Sequence, residues 1–163
     1  MSITQERLKE ILTYDEVTGD FYWNINKGKQ KAGTKAGQIL QSGYVLIGLD
    51  GKTYRAHHLV FLYKLGYFPD CLIDHIDGYK ANNVADNLRL ATKSQNAFNM
   101  KLKHNNTSGT KGVSFRKDRN KWRVYLKVNG KYISFGHFDS KSDAIIVSRM
   151  VRELHHKEFA RHA

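Results

Sequence analysis

The sequence predicts an α+β chain built from two modules, and three observations carry that expectation. Residues 71–100 read as strand, loop, strand and helix. Residues 111–163 read as three alternating strands followed by one long amphipathic helix. Between them the charge balance changes. Residues 1–100 hold 12 Lys and Arg against 10 Asp and Glu, a net of +2, whereas residues 101–163 hold 15 against 5, a net of +10. The expected organisation is a first module at 1–100 with its compact core at about 71–100, a linker at 101–110, and a second module at 111–163.

Each element has its own local reason. Ile3 to Leu12 is a short amphipathic helix with Thr4 as its cap and Ile3, Leu8, Ile11 and Leu12 on one side. TGDFYWN is a turn entering an aromatic strand, and NKGKQKAGTKAGQ (26–38) is a basic loop without periodicity. GYVLIGL and KTYRAHH flank Asp50-Gly51, a tight hairpin turn. HHLVFLYKLGYF is apolar on more than one side and long enough for a buried helix, with Pro69 just beyond it. LIDHID and NLRLAT are short strands around the loop GYKANNVADN, and Thr92 precedes the helix KSQNAFNMK. After the polar stretch KLKHNNTSGT come GVSFRK, KWRVYLKV and KYISFGHF, the last two joined at Asn129-Gly130. Ser140 caps the final helix, whose Ala144, Val147, Val151 and Leu154 are expected on the buried face.

A formal net charge of +12 favours a polyanionic partner, nucleic acid before an anionic membrane surface. The single cysteine, Cys71, excludes a disulfide framework within the chain and fits a reducing, cytoplasmic setting; its place beside an apolar strand is expected to be core. No window approaches the length of a membrane span, so no membrane partner is expected.

The stretch LIDHIDGYKANNVADNLRLATKSQNAFN gathers Asp, His and Asn at set positions. Phosphodiester hydrolysis needs a group that takes a proton from water and a divalent cation that stabilises charge on the phosphate. Histidine suits the first task, with an ordinary pKa of about 6.5. A carboxylate with amide oxygens suits the second, since hard cations prefer oxygen. Adjacent Asp74 and His75 on a strand point to opposite faces, so they need a bulge or twist to share a site, or must serve different parts of one cleft.

DHID, then NN..DNLRLAT, then QN..N, resembles the HNH nucleases in their ββα-metal form, closest to the phage and homing-endonuclease branch with Asn in the last position. The resemblance implies that His75 is the general base and that Asp74 and Asn96 ligate one Mg²⁺ or Mn²⁺ per active site. It implies that Asn87 braces the loop and helps orient His75. Upstream, GYVLIGLDGKTYRAHHLVFLYKLGYFP looks like the N-terminal part of phage HNH proteins. There His57 falls on a recurrent histidine with a place near the DNA backbone or, as the favoured reading, a structural role.

The basic half, with KGVSF, KWRVYLKVNGK, FGHFDS and ELHHKEFA, resembles an AP2 domain. Independently, Trp122, Val124, Leu126 and Val128 alternate with Arg123, Tyr125 and Lys127, and the second set should face away from the helix with Arg116, Tyr132 and Ser134. Such a face suits reading double-stranded DNA in the major groove. The leading expectation is a metal-dependent DNA endonuclease, monomer or homodimer, phage-encoded or of homing type and acting in the host cytoplasm. The competing expectations are a DNA-binding regulator whose nuclease half is scaffold, and an RNA-acting nuclease, which the narrow major groove of RNA disfavours.

Overall fold

The computed structural model describes residues 2–26, 28–102, 104–128 and 130–162. The chain divides into two compact units, Met1–Thr92 and Lys93–Ala163. Each is described by itself.

In the first unit α1 (Gln5–Ile11) begins where Thr4 accepts from the Arg7 amide, as the sequence predicts. It runs directly into β1 (Leu12–Tyr14), which pairs antiparallel with β2 (Phe21–Trp23). A second sheet has the order β3 (Gln38–Ile39), β4 (Val45–Leu49), β5 (Lys52–Arg55), and Leu49 pairs with Lys52 across Asp50-Gly51. The two-residue β3 forms at the end of the segment expected to be all loop. Then α2 (Ala56–Leu65) buries Ala56, His57, Leu59, Val60 and Leu62. β6 (Leu72–His75) and β7 (Leu88–Ala91) form an antiparallel ribbon that closes the unit. One apolar core joins these elements, with Leu8, Ile11, Phe21, Ile47, Leu59, Ile73 and Leu88 among its members. Cys71, expected in that core, is exposed. It precedes the ribbon, whose first residue Leu72 is exposed too, and only with Ile73 does the strand turn inward.

The second unit begins with α3 (Lys93–Asn99), which the sequence places in the first module. Within this unit the ring of Phe98 stacks on His156, 3.6 Å apart and 5° from parallel. β8 (Val113–Arg116), β9 (Lys121–Val128) and β10 (Lys131–Phe138) form an antiparallel sheet in that order, and α4 (Lys141–His156) is capped by Ser140. Asn129 of the expected turn lies outside the described residues, but Val128 pairs with Lys131. Val113, Val124 and Ala144 make the core, with Trp122, Phe135, Phe138, Val147 and Val151 packed on it. Leu154, expected on the buried face, is 71% exposed. The buried line of α4 runs through Ala144, Ser148, Arg152 and His156 at four-residue steps, and at about 100° per residue Leu154 falls about 160° from its neighbours Arg152 and His156 on that line. Among the described residues no helix is long and apolar enough to cross a membrane.

A close backbone approach joins the turn after β1 to the loop after β6. Gly19, at φ 75°, lies so close to the Asn83–Val84 peptide that a Cβ there would stand 2.5 Å from the Asn83 carbonyl carbon. Both the left-handed backbone and the clash require glycine. Gly19→Ala should therefore cost about 1–3 kcal/mol of stability. Denaturant unfolding checks this, and an unchanged midpoint would contradict the packing argument.

Candidate active site

β6 delivers Asp74 and His75 in succession. Its register with β7 is unbroken, Asp74 opposite Arg89 and His75 opposite Leu88. No bulge brings the two side chains to one face, which leaves the expected alternative, each serving a different part of one cleft. His75 is 4% exposed, and its Nε2 lies 3.3 Å from Asn83 Oδ1. Asn83 is 1% exposed and held from three directions. Its Nδ2 donates to the Ala81 carbonyl at 3.1 Å, its own carbonyl accepts from Tyr14 Oη at 2.9 Å, and Gly19 backs its peptide. The bond to Ala81 sets which way the amide points. Its oxygen faces the imidazole, so a neutral His75 carries its proton on Nε2 and its basic lone pair on Nδ1. Burial lowers the His75 pKa against the opposing effect of the Asn83 bond, which favours the neutral ring near pH 7.

The loop between the strands is tied at its base by Asn87. Its Nδ2 donates to Asp77 Oδ1 and to the Asn82 carbonyl, both at 3.0 Å, and its Oδ1 accepts from the Asp77 amide at 3.1 Å. The Asp77 carboxylate also accepts from the Tyr79 amide and from Asn82 Nδ2. Burial raises the Asp77 pKa, but these hydrogen bonds outweigh it and hold the group below its ordinary value. Asp74 is buried and paired with Arg89, whose Nε and Nη2 reach Oδ2 at 3.0 and 2.9 Å. A carboxylate offers about four acceptor sites, so that ion pair does not by itself exclude a cation. Asn96 lies half-buried on α3, in the second unit, and Asn99 on the same helix is buried. Among the described residues no three His, Cys, Asp or Glu side chains gather into a metal-holding group. A carboxylate such as that of Asp74, when joined by amide oxygens, is a donor type that fits a hard cation taking much of its shell from a phosphate.

His57 is 2% exposed, a burial that supports its structural role over a contact with a DNA backbone. Its ring stands 5.1 Å from that of His75 in an edge arrangement and 5.3 Å from Tyr44. Burial first, then His58, His75 and Arg55, lower its pKa to about 3. Tyr44 is flanked by Arg55 at 4.7 Å and Lys80 at 4.6 Å from its ring. These cations beside the His75 cluster were not singled out in the sequence, and neither was Asn83. Asn-Asn in a polar loop gives no sign of which amide turns inward.

In the second unit the expected sheet face forms. Lys127 is opposite Tyr132, Tyr125 opposite Ser134, and Arg116 shares the side of Arg123 through Lys121 and Ser114. Arg116 is engaged with Asp118 at 3.0 and 3.1 Å. Arg123 stands over Tyr125 at 5.4 Å and Lys127 over Tyr132 at 5.8 Å. A register shift between Ser134 and Gly136 places His137 opposite Arg123, adding to this face a residue that simple alternation does not assign to it.

Comparison with known proteins bears on this geometry. The HNH endonuclease family matches residues 54–98, the span that carries His57, Asp74, His75, Asn87 and Asn96. Protein 3.8 of Escherichia phage T7 is 44% identical over 96 residues, 59% of this chain and 75% of that protein. DNA endonuclease I-HmuI of Bacillus phage SP01 is 40% identical over 87 residues, 50% of this chain and 47% of that one. The solved structure of the HNH homing endonuclease I-HmuI, described as showing DNA binding and cleavage, overlaps 76% of this chain and 71% of its own at 26% identity and a TM-score of 0.43, too loose to place individual elements.

The buried histidine has a measurable consequence. The unfolded chain protonates His57 near its ordinary 6.5, the folded chain only near 3. Across that window the folded state binds fewer protons, so stability should fall as the pH drops from about 6.5 toward 3. The His57 ring resonances should stay those of neutral imidazole from pH 8 to about 4.5 while the unfolding midpoint declines; a His57 that titrates near 6.5 would refute its burial.

Proposed function

We propose that this chain, whose residues 54–98 match the HNH endonuclease family and which is similar to a phage DNA endonuclease, is itself a DNA endonuclease whose cleavage is metal-dependent, with His75 as general base. The observation that carries this reading is the His75–Asn83 pair beside Asp74: a buried, neutral imidazole with its basic nitrogen chosen by a fixed amide. His75 Nδ1 takes the proton from an attacking water as oxygen bonds to phosphorus. The bond to the leaving oxygen breaks, and that oxygen gains a proton from solvent. Asp74 and Asn96 would hold one Mg²⁺ or Mn²⁺. A divalent cation so placed supplies charge stabilisation on the phosphate and on the leaving oxygen. Asn87 holds the loop that carries Asn83 in register with His75 through its bonds to Asp77 and Asn82.

In this reading residues 111–163 form an AP2-like module that grips and selects double-stranded DNA. Its three strands, single helix and net basic charge support this, as does the face of Arg123, Tyr125, Lys127, Tyr132 and Ser134. Lys would serve mainly phosphates, and Arg123 suits a guanine edge. Arg116, held by Asp118, would have to exchange that partner for a phosphate or base. The similarity to an endonuclease of Bacillus phage SP01, of which this chain matches about half, supports a phage-encoded or homing-type enzyme.

The decisive experiment incubates supercoiled DNA with purified protein, Mg²⁺ or EDTA. His75→Ala should lower the cleavage rate by about 10²–10⁴-fold and leave DNA affinity nearly unchanged. Equal loss of both would remove the role of base. Asp74→Ala and Asn96→Ala should each raise the Mg²⁺ concentration needed for half-maximal cutting or abolish cutting. Wild-type metal dependence in either variant would strike that residue from the ligand set.

A further inference from the structure

The second unit gathers basic side chains, two of them buried, that the cleavage chemistry does not use. Arg152 on α4 is 4% exposed, and His156, one turn later, is buried beside it. Lys111, before β8, completes the group around a cavity of about 150 Å³ that Phe98 and Gly112 help to wall. Lined by Lys111, Arg152 and His156, this cavity has no carboxylate among its described walls. Arg152 gives one bond, from Nη2 to the Arg161 carbonyl at 2.5 Å, and its Nε meets no acceptor among the described residues. Neither ring nitrogen of His156 meets one in hydrogen-bond geometry, although the Lys127 carbonyl faces it. Lys111 donates to the Met100 and Arg161 carbonyls, which bring dipoles but no charge. Glu153, the acid on this stretch of α4, is exposed and pairs with His162 at 3.3 Å.

A guanidinium is retained in a protein interior when an anion or a full set of acceptors compensates it. Here three basic side chains converge, and among the described residues donors remain unmatched and no acid lines the space. The volume equals about five waters at roughly 30 Å³ each, room for a tetrahedral oxyanion. We propose that Lys111, Arg152 and His156, with Tyr125 and Lys127 of β9 at its border, form a binding pocket for a phosphate group. The guanidinium and imidazole supply directional N–H donors, and the ammonium a point charge. Burial, then the neighbouring Arg152 and Arg161, hold Lys111 down at about 8, and burial and Arg152 hold His156 at about 4, as expected where positive charge is crowded without a counter-charge. Gly112 is what lets the wall close, for a Cβ there would stand 2.6 Å from the Tyr125 carbonyl oxygen and 3.3 Å from Ser148 Oγ.

The test uses the full chain with ring-labelled histidine and sodium phosphate titrated against sodium chloride at equal ionic strength. Phosphate should move the His156 resonances saturably and raise the unfolding midpoint; chloride should do neither. Lys111→Met and Arg152→Met should each weaken phosphate at least about tenfold. No saturable shift in the wild type, which needs no variant to fold, overturns the proposal. So does an unchanged affinity in a folded Lys111→Met chain, which would mean an adventitious ion elsewhere on the basic surface. A second arm adds duplex DNA to the His75→Ala chain in EDTA. If duplex moves the same His156 signals and phosphate competes with it, the site takes a backbone phosphate. If only inorganic phosphate moves them, it takes the free anion. Cleavage is not read in either arm, so failure here leaves the nuclease reading standing.

Discussion

The hydrogen bond between His75 Nε2 and Asn83 Oδ1 is the constraint around which the first unit is arranged. An imidazole alone has two equivalent-looking nitrogens, and chemistry needs one of them basic. Choosing it takes an acceptor that cannot rotate. The amide of Asn83 is such an acceptor because Ala81 takes its NH₂ group and Tyr14 and Gly19 trap its peptide. Tyr14 belongs to β1 and Gly19 to the turn after it, so the start of the chain orients a residue 69 positions after Tyr14. Burial of the hydroxyl pushes the Tyr14 pKa up to about 12, which keeps it a donor to the Asn83 carbonyl at any working pH.

Around this bond the aromatic and imidazole rings form a graded environment. His57 is deep and held neutral, His75 is also buried beside it, and Tyr44 leans over both with Arg55 and Lys80 at its faces. A neutral ring behind the candidate base adds no repulsion to the proton that base would take up. Cations in front suit an approaching phosphate. The second unit uses basic residues differently. Its sheet spreads them over an exposed face, separated by tyrosines, while α4 turns Arg152 and His156 inward. Net charge alone does not distinguish these two fates.

Much of the molecule could be read from residues near one another in the chain. Thr4 and Ser140 cap their helices because a hydroxyl before an amphipathic run satisfies exposed amides. Asp50-Gly51 joins two alternating runs and makes the hairpin. The outer sheet face followed from a period of two, up to the register shift that brings in His137. Misreadings arose where one face competes with another. Leu154 sits seven residues from Val147, a spacing that also satisfies an apolar stripe, yet the sheet lies against the other flank of α4. Cys71 looked apolar by its neighbours, but the ribbon turns inward only at Ile73.

What the sequence by itself determined is the inventory and the local order: Asp74 next to His75, amides in the following loop, a strand–loop–strand frame, and a basic three-stranded half. These depend on turn chemistry and side-chain period, which act over a few residues. Only the tertiary structure decided that Asn83 rather than Asn87 faces His75, that His57 is buried against it, and that Lys111 and Arg152 share a cavity. Those choices join residues 8, 18 and 41 positions apart. Packing makes them, by deciding which of several chemically equal side chains turns out of water, and no local pattern records that choice.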